Sequence, residues 1–216
     1  MVLSVRIDLS RLGPSLILAA TGAIGACVRP PLPEVCPGLA PGDLVLTEYR
    51  GPQTGSYRQW IELYNASDAP IDLAGISLHF EPLDGGEGSR FLVRDEDLVI
   101  EPGAYVVLGG GDPARFDYID YDFTVDYHSS TNPDEPRELP SGGFVAVYSC
   151  DREIDSVLLR GLPEEGTLFW PGTPDAAAND DGTTWCVDDF TVSNTDTGKR
   201  GTPGEANPAC PTEASP

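Results

Sequence analysis

Trp60-Ile61-Glu62-Leu63-Tyr64-Asn65, followed by Ile71-Asp72-Leu73-Ala74-Gly75-Ile76-Ser77-Leu78, is the stretch that decides the fold. Ile61 and Leu63 alternate with Glu62 and Tyr64, so the side chains fall on opposite faces, as in a half-buried strand. Asn65 to Pro70 is turn chemistry: Asn and Asp side chains bond nearby backbone and Pro70 presets φ. The sheet then restarts at Ile71. Working outward, Asp43 to Tyr49 reads as a strand with Leu44, Leu46 and Glu48 on one face. Ile76 to Phe80, Phe91 to Arg94 and Leu98 to Ile100 follow. Glu101 to Asp112 opens with a Pro-Gly turn and continues as a central strand through Tyr105, Val107 and Leu108. Gly143 to Cys150 and Glu153 to Leu159 form a hairpin across Asp151-Arg152, and Thr184 to Cys186 with the tail to Asn207 closes the sheet. About seven to nine short strands between Gly, Pro, Asn and Asp punctuation, with no long helix and no internal repeat, predict an all-β, two-sheet sandwich.

The chain has 216 residues with 24 Gly and 21 Pro, enough for one β domain with a proper core. Thirteen Lys and Arg stand against 35 Asp and Glu. A surface this acidic repels phosphate backbones, so nucleic acid is not an expected partner. The acidity serves solubility and self-repulsion, or a site for a divalent cation or a basic partner.

Residues 1–26 have the layout of a lipoprotein signal peptide. Arg6 and Arg11 precede an apolar run from Leu12 to Ala23, and Ile24-Gly25-Ala26-Cys27 has the form of a bacterial lipobox, making Cys27 the lipidated N-terminus. Asp8 and Pro14 depart from the pattern, and cleavage by the ordinary peptidase, giving a secreted protein, is the alternative. The run is short of the about 20 residues that span a bilayer as a helix. The expected location is therefore the bacterial cell envelope, at the outer membrane, with the lipid making the membrane contact. Residues 27–42 carry Pro30, Pro31, Pro33, Pro37 and Pro41 and read as a stiff tether, rising about 3.1 Å per residue. Cys27 is the odd member of five cysteines. Cys36, Cys150, Cys186 and Cys210 remain for disulfides, with three possible connectivities. Their places near strand ends and domain termini favour Cys150 with Cys186 and Cys36 with Cys210, each bridge adding roughly 3–5 kcal/mol in the loop-entropy model.

W-I-E-L-Y-N, I-D-L-A-G-I-S-L, I-E-P-G-A-Y-V-V-L, G-G-F-V-A-V-Y with I-D-S-V, W-C, and G-T-P-G-E-A-N (Gly201 to Asn207), in this order, resemble the lamin-tail domain in its bacterial form. The resemblance covers residues 43–207 and leaves 208–216 as a C-terminal tail. It implies an immunoglobulin-like β-sandwich of non-enzymatic character, carried by exported and surface proteins, sometimes beside nuclease or phosphatase domains. The nuclear-lamina partners of eukaryotic members do not transfer, because no coiled-coil rod or basic surface accompanies this copy. The departure from the family pattern is Gly109 to Ser141, longer and more acidic than a plain strand connection.

That segment interleaves Asp117, Asp120, Asp122 and Asp126 with Phe116, Tyr118, Tyr121, Phe123 and Tyr127. Oxygen ligands at this density are candidates for calcium, although the spacing matches no EF-hand loop. Rings beside carboxylates also suit a sugar, and an edge strand with rings inward and aspartates against edge-to-edge pairing is the plainer alternative. Asn179-Asp180-Asp181-Gly182 reads as a turn. Catalytic motifs are lacking: no G-x-S-x-G, no H-E-x-x-H and no phosphate-cradling loop occurs. Gly109-Gly110-Gly111-Asp112 opens no helix, and His79 and His128 read as structural. Glu62 is the acid to watch, with a hydrogen-bonded structural role expected. Two functions follow. The first is a lipid-anchored, non-catalytic module with a structural or interaction role, needing no cofactor and meeting an unknown protein or surface partner. The alternative is a calcium-dependent adhesin or cation-dependent hydrolase using residues 112–126.

Overall fold

β1 (Leu44–Arg50) is buried along its whole length, and the sandwich is assembled around it. The computed structural model describes residues 35–53, 58–128, 137–188 and 200–211, so the signal peptide, Cys27 and the first part of the tether lie outside the described residues, as does the chain after residue 211. Eleven further strands follow: β2 (Trp60–Asn65), β3 (Ile71–Asp72), β4 (Ile76–Pro82), β5 (Ser89–Leu92), β6 (Val99–Ile100), β7 (Tyr105–Gly109), β8 (Tyr121–Asp122), β9 (Gly143–Ser149), β10 (Arg152–Leu159), β11 (Thr167–Phe169) and β12 (Cys186–Asp188). One sheet runs β12-β11-β1-β2-β7-β8 and the other β10-β9-β4-β5, with β3 and β6 pairing separately. Leu46, Leu63 and Leu108 from the first meet Leu78, Phe80, Phe91, Val145 and Val147 from the second in one apolar core. This is the expected immunoglobulin-like two-sheet β-sandwich, in which only 3₁₀ turns at Phe123–Val125 and Gly182–Thr184 are helical among the described residues.

The register of β1 with β2 shifts once. Leu46 pairs with Leu63 and Glu48 with Glu62, leaving Thr47 as the extra residue of a β-bulge. Because strand side chains alternate, one extra residue reverses which face the rest of the strand presents. Leu44 and Leu46 point into the core, but Tyr49 takes over that role after the bulge, and Glu48 moves to the outer face beside Glu62. The expectation that Glu48 shares a face with Leu44 and Leu46 is thereby corrected.

β11 pairs only with Glu48 and Tyr49, so the first half of β1 has no strand on that side. Side chains complete the edge instead. Leu46 N–H donates to Asp155 Oδ2 at 2.6 Å and the Leu46 carbonyl accepts from Asn179 Nδ2 at 2.9 Å. Asn179 Nδ2 also donates to Asp155 Oδ2 at 2.9 Å, and the backbone carbonyl of Asn179 accepts from Trp185 Nε1 at 2.8 Å. The expected turn at Asn179 is thus also a seam between the two sheets.

The second half of the opening motif is two strands rather than one: β3 ends at Asp72, whose Oδ1 accepts from the Ala74 amide, and β4 starts at Ile76. The β9–β10 hairpin turns at Cys150-Asp151, with Cys150 at φ 50°, not at Asp151-Arg152. β11 occupies a Thr-Leu-Phe run that is too short for alternation to register.

The disulfides join Cys36 to Cys150 and Cys186 to Cys210, with Cα–Cα distances of 5.4 and 5.6 Å. The favoured pairing is therefore wrong. Cys150 sits at the hairpin end of the four-stranded sheet, where Arg152 Nη1 donates to the Leu39 carbonyl at 2.8 Å and Ser149 Oγ donates to that of Pro37, holding the N-terminal segment there. Cys186 opens the edge strand of the other sheet and meets Cys210 after the chain has crossed that sheet's outer face.

Candidate functional site

The four aspartates proposed for calcium are placed by separate local structures. Asp120 Oδ2 accepts from Val107 N–H at 2.8 Å and its own N–H donates to the Val107 carbonyl at 2.9 Å, so the segment pairs with the open edge of β7. β8 extends this as a parallel pairing of Tyr121 and Asp122 with Leu108 and Gly109. Asp122 Oδ1 accepts from Gly111 N–H at 3.1 Å, Thr124 N–H at 3.0 Å and Thr124 Oγ1 at 2.6 Å, capping the 3₁₀ turn. Asp126 pairs with Arg94 Nε at 3.0 Å and accepts from the Tyr121 hydroxyl. Asp117 is exposed. No group of three or more His, Cys, Asp or Glu suited to a metal occurs among the described residues, so the calcium set is not assembled.

The rings of this segment are mostly internal. Phe123 stacks on Phe91 at 5.3 Å between centroids, and Tyr127 lies 5.6 Å from Phe91 and 5.7 Å from Phe80. Tyr118 meets Trp60 edge-on at 5.5 Å, and Phe116 lies under the Arg58 guanidinium at 4.9 Å. The segment is a sheet edge whose Tyr121, Phe123 and Tyr127 rings turn into the core, while Phe116 and Tyr118 are half-buried against Arg58 and Trp60.

His79 stands on the outer face of the four-stranded sheet, 3.0 Å from Ser77 Oγ and stacked on Tyr148 at 4.5 Å. Burial and then the Arg90 charge hold its pKa below the usual histidine range. His128 is exposed, with its Nε2 3.1 Å from the Val125 carbonyl.

The unexpected site lies on the outer face of the six-stranded sheet, under the Gly201–Asn207 segment. Glu48 and Glu62 are directly opposite on β1 and β2 and neither is exposed to solvent. Glu48 Oε2 accepts from Trp60 Nε1 at 3.0 Å, and Oε1 accepts from Thr202 N–H at 2.9 Å. Glu62 Oε1 accepts from Thr47 Oγ1 at 2.7 Å and Oε2 from Gly204 N–H at 2.7 Å. Asn207 Nδ2 donates at 3.0 Å to the Thr47 carbonyl, which also accepts from Trp170 N–H at 2.8 Å. Pro203 and Gly204, at φ 85°, occupy the centre of a turn closed by Glu205 N–H on the Thr202 carbonyl, the Pro-Gly order of a type II turn. Gly201 is needed for close approach: a Cβ there would lie 2.9 Å from Thr167 Oγ1 and 3.0 Å from the Trp60 ring.

Two carboxyls buried side by side cannot both ionise cheaply. Burial pushes Glu48 up to about 7, against hydrogen bonds from Thr202 and Trp60 that favour the charged form. Burial, then the Glu48 charge, raise Glu62 well above the usual carboxylate range. Glu62 has the hydrogen-bonded structural role expected of it. Its partner could not be found from sequence, because pairing with Glu48 depends on the bulge and the donors lie 154 and 142 residues away.

Residues 37–157 match a family model described as Lamin Tail Domain. No curated protein and no solved structure matches the chain.

Proposed function

Because this chain belongs to the lamin tail domain family, we propose that it is an interaction module held at the bacterial cell envelope by a lipid on Cys27 and presented close to the membrane. The family is one of immunoglobulin-like interaction domains rather than enzymes. The acids of the sandwich that sequence singled out serve the scaffold: Glu62 anchors the C-terminal segment, Asp120 lines a sheet edge, Asp122 caps a turn and Asp126 pairs with Arg94.

The observation that carries the anchored geometry is the Cys36–Cys150 bridge. It fixes the chain to the β9–β10 turn nine positions after Cys27, and an extended segment of that length reaches roughly 30 Å. The module's hairpin end would then face the membrane. Its open surface on the four-stranded sheet, with His79 on Tyr148 between Glu81, Arg90 and Glu153, is where a protein partner would meet it.

Cys27→Ser in the full chain tests the anchor. Release of the protein into the soluble fraction is expected, with melting unchanged, and continued membrane association of the variant would overturn the proposal.

A further inference from the structure

The Thr202 hydroxyl is asked for two hydrogens and has one. Thr202 Oγ1 lies 2.8 Å from Glu48 Oε1 and 2.7 Å from Asn207 Oδ1. The Asn207 amide cannot be turned over, since its Nδ2 donates to the Thr47 carbonyl, which only accepts. Asn207 Oδ1 is therefore an acceptor, and Thr202 Oγ1 is the donor that the structure places on it. With that hydrogen committed, the contact between Thr202 Oγ1 and Glu48 Oε1 is a hydrogen bond only when Glu48 supplies the hydrogen. A neutral Glu48 satisfies every contact: Oε1–H donates to Thr202 Oγ1, Oε1 accepts from Thr202 N–H, and Oε2 accepts from Trp60 Nε1.

We propose that Gly201–Asn207 is a proton-locked clasp, closed on the sheet face while Glu48 carries the hydrogen that Thr202 lacks, and opened from the Asn207 end when that hydrogen leaves. On ionisation the Thr202 hydroxyl turns to the carboxylate and Asn207 Oδ1 loses its donor. The Asn207 hold on the Thr47 carbonyl then weakens. A charged Glu48 also faces Glu62 directly across the strand pair and disfavours ionisation of that second carboxyl. The segment stays attached through Cys186–Cys210, so opening is local and reversible, and it uncovers Trp60 beneath Gly201.

The surroundings bias the pair toward holding its proton. Asp188 on β12 and Asp120 beyond β7 add negative charge near Glu48 and Glu62 respectively, and Tyr64 and Tyr105 lie on the same face. Arg50, also on that face, lies over the Trp60 ring at 5.1 Å and donates to Thr167 Oγ1. The clasp itself brings Arg200, paired with Glu165, and the exposed Glu205.

The test is a titration of the full chain carrying ¹³C-labelled glutamate. At about pH 6 the Glu48 carboxyl carbon is expected at the shift of a neutral acid. Between about pH 6 and pH 8, exchange protection of the Gly204 amide, corrected for intrinsic rate, should fall at least about tenfold while that of Leu63 in β2 holds. Glu62→Gln keeps a hydrogen-bonding group and removes the neighbouring negative charge that opposes ionisation of Glu48, so the fall should move down in pH, by up to about one unit. A charged Glu48 at about pH 6 with Gly204 fully protected, or protection unchanged across the range, overturns the clasp.

Discussion

Residues 112–128 and the outer face of the six-stranded sheet both gather carboxyls and aromatic rings, but by opposite routes. In the first the acids are crowded in sequence and separated in space: Asp122 caps a turn, Asp120 lines an edge, Asp126 pairs with Arg94, and Asp117 is exposed. In the second, Glu48 and Glu62 are single acids in apolar strands, brought opposite each other by a one-residue bulge and sealed by a segment from the far end of the chain. Acid density along the chain measures how much carboxylate can be solvated or used locally. Burial and shared donors decide where carboxyls act on one another.

The largest effect expected from this contrast is on stability. Glu62→Ala strips the acceptor from the Thr47 hydroxyl and the Gly204 amide and leaves a void under the clasp, a loss of about 3 kcal/mol. Asp126→Ala removes the partner of the partly exposed Arg94 and the acceptor of the Tyr121 hydroxyl, a loss of about 1–2 kcal/mol. Urea unfolding of the two variants measures the difference directly. Equal losses would break the distinction between the two regions.

The opening motif shows how much could be read without coordinates. Alternation in W-I-E-L-Y-N and the Pro-Gly turn before β7 placed central strands correctly, because period and turn chemistry are local. The Thr47 bulge is not local: nothing in L-V-L-T-E-Y announces that one residue will be left out of the pairing, and it alone puts Glu48 beside Glu62. The disulfides escaped for a related reason. Cys150 and Cys186 both look like strand-end cysteines, but they stand on different sheets, and which ends meet is fixed by how the sheets are joined. G-T-P-G-E-A-N was recognisable as a motif, while its work, donating backbone hydrogens to two buried acids, appears only when the sheet is beneath it.

A second expectation concerns pH. Glu48 is raised to about 7 in the fold, from an ordinary value of 4.5, chiefly by burial. The folded state therefore holds more protons than the unfolded chain between these values. Its stabilising share is fully present below about pH 4.5 and lost as pH rises through about 7, a change of about 3 kcal/mol from this group. Asp155, raised to about 7 and again mainly by burial, acts in the same direction. Melting temperature should thus fall from about pH 5 to about pH 8, opposite to ordinary acid denaturation. Glu62→Gln should flatten the slope. A profile that rises with pH would contradict the buried pair as the dominant titrating element.

The smallest effect expected is that of calcium, and it bears on the other region. A site of the weak extracellular kind, with Kd of about 10⁻⁴–10⁻³ M, would stabilise the domain by roughly 1.4–2.7 kcal/mol at about 10 mM calcium. Asp120, Asp122 and Asp126 are held apart by backbone amides, Thr124, Tyr121 and Arg94, and to chelate together they would have to give up the β7 edge and the turn cap. Calcium should therefore move the melting temperature no more than an equal concentration of magnesium, since both screen a chain of formal charge −22 alike. A calcium-specific rise abolished by Asp122→Asn would show that the acidic stretch can rearrange into a cation site, and the contrast between crowded and buried acids would then be one of occupancy rather than of architecture.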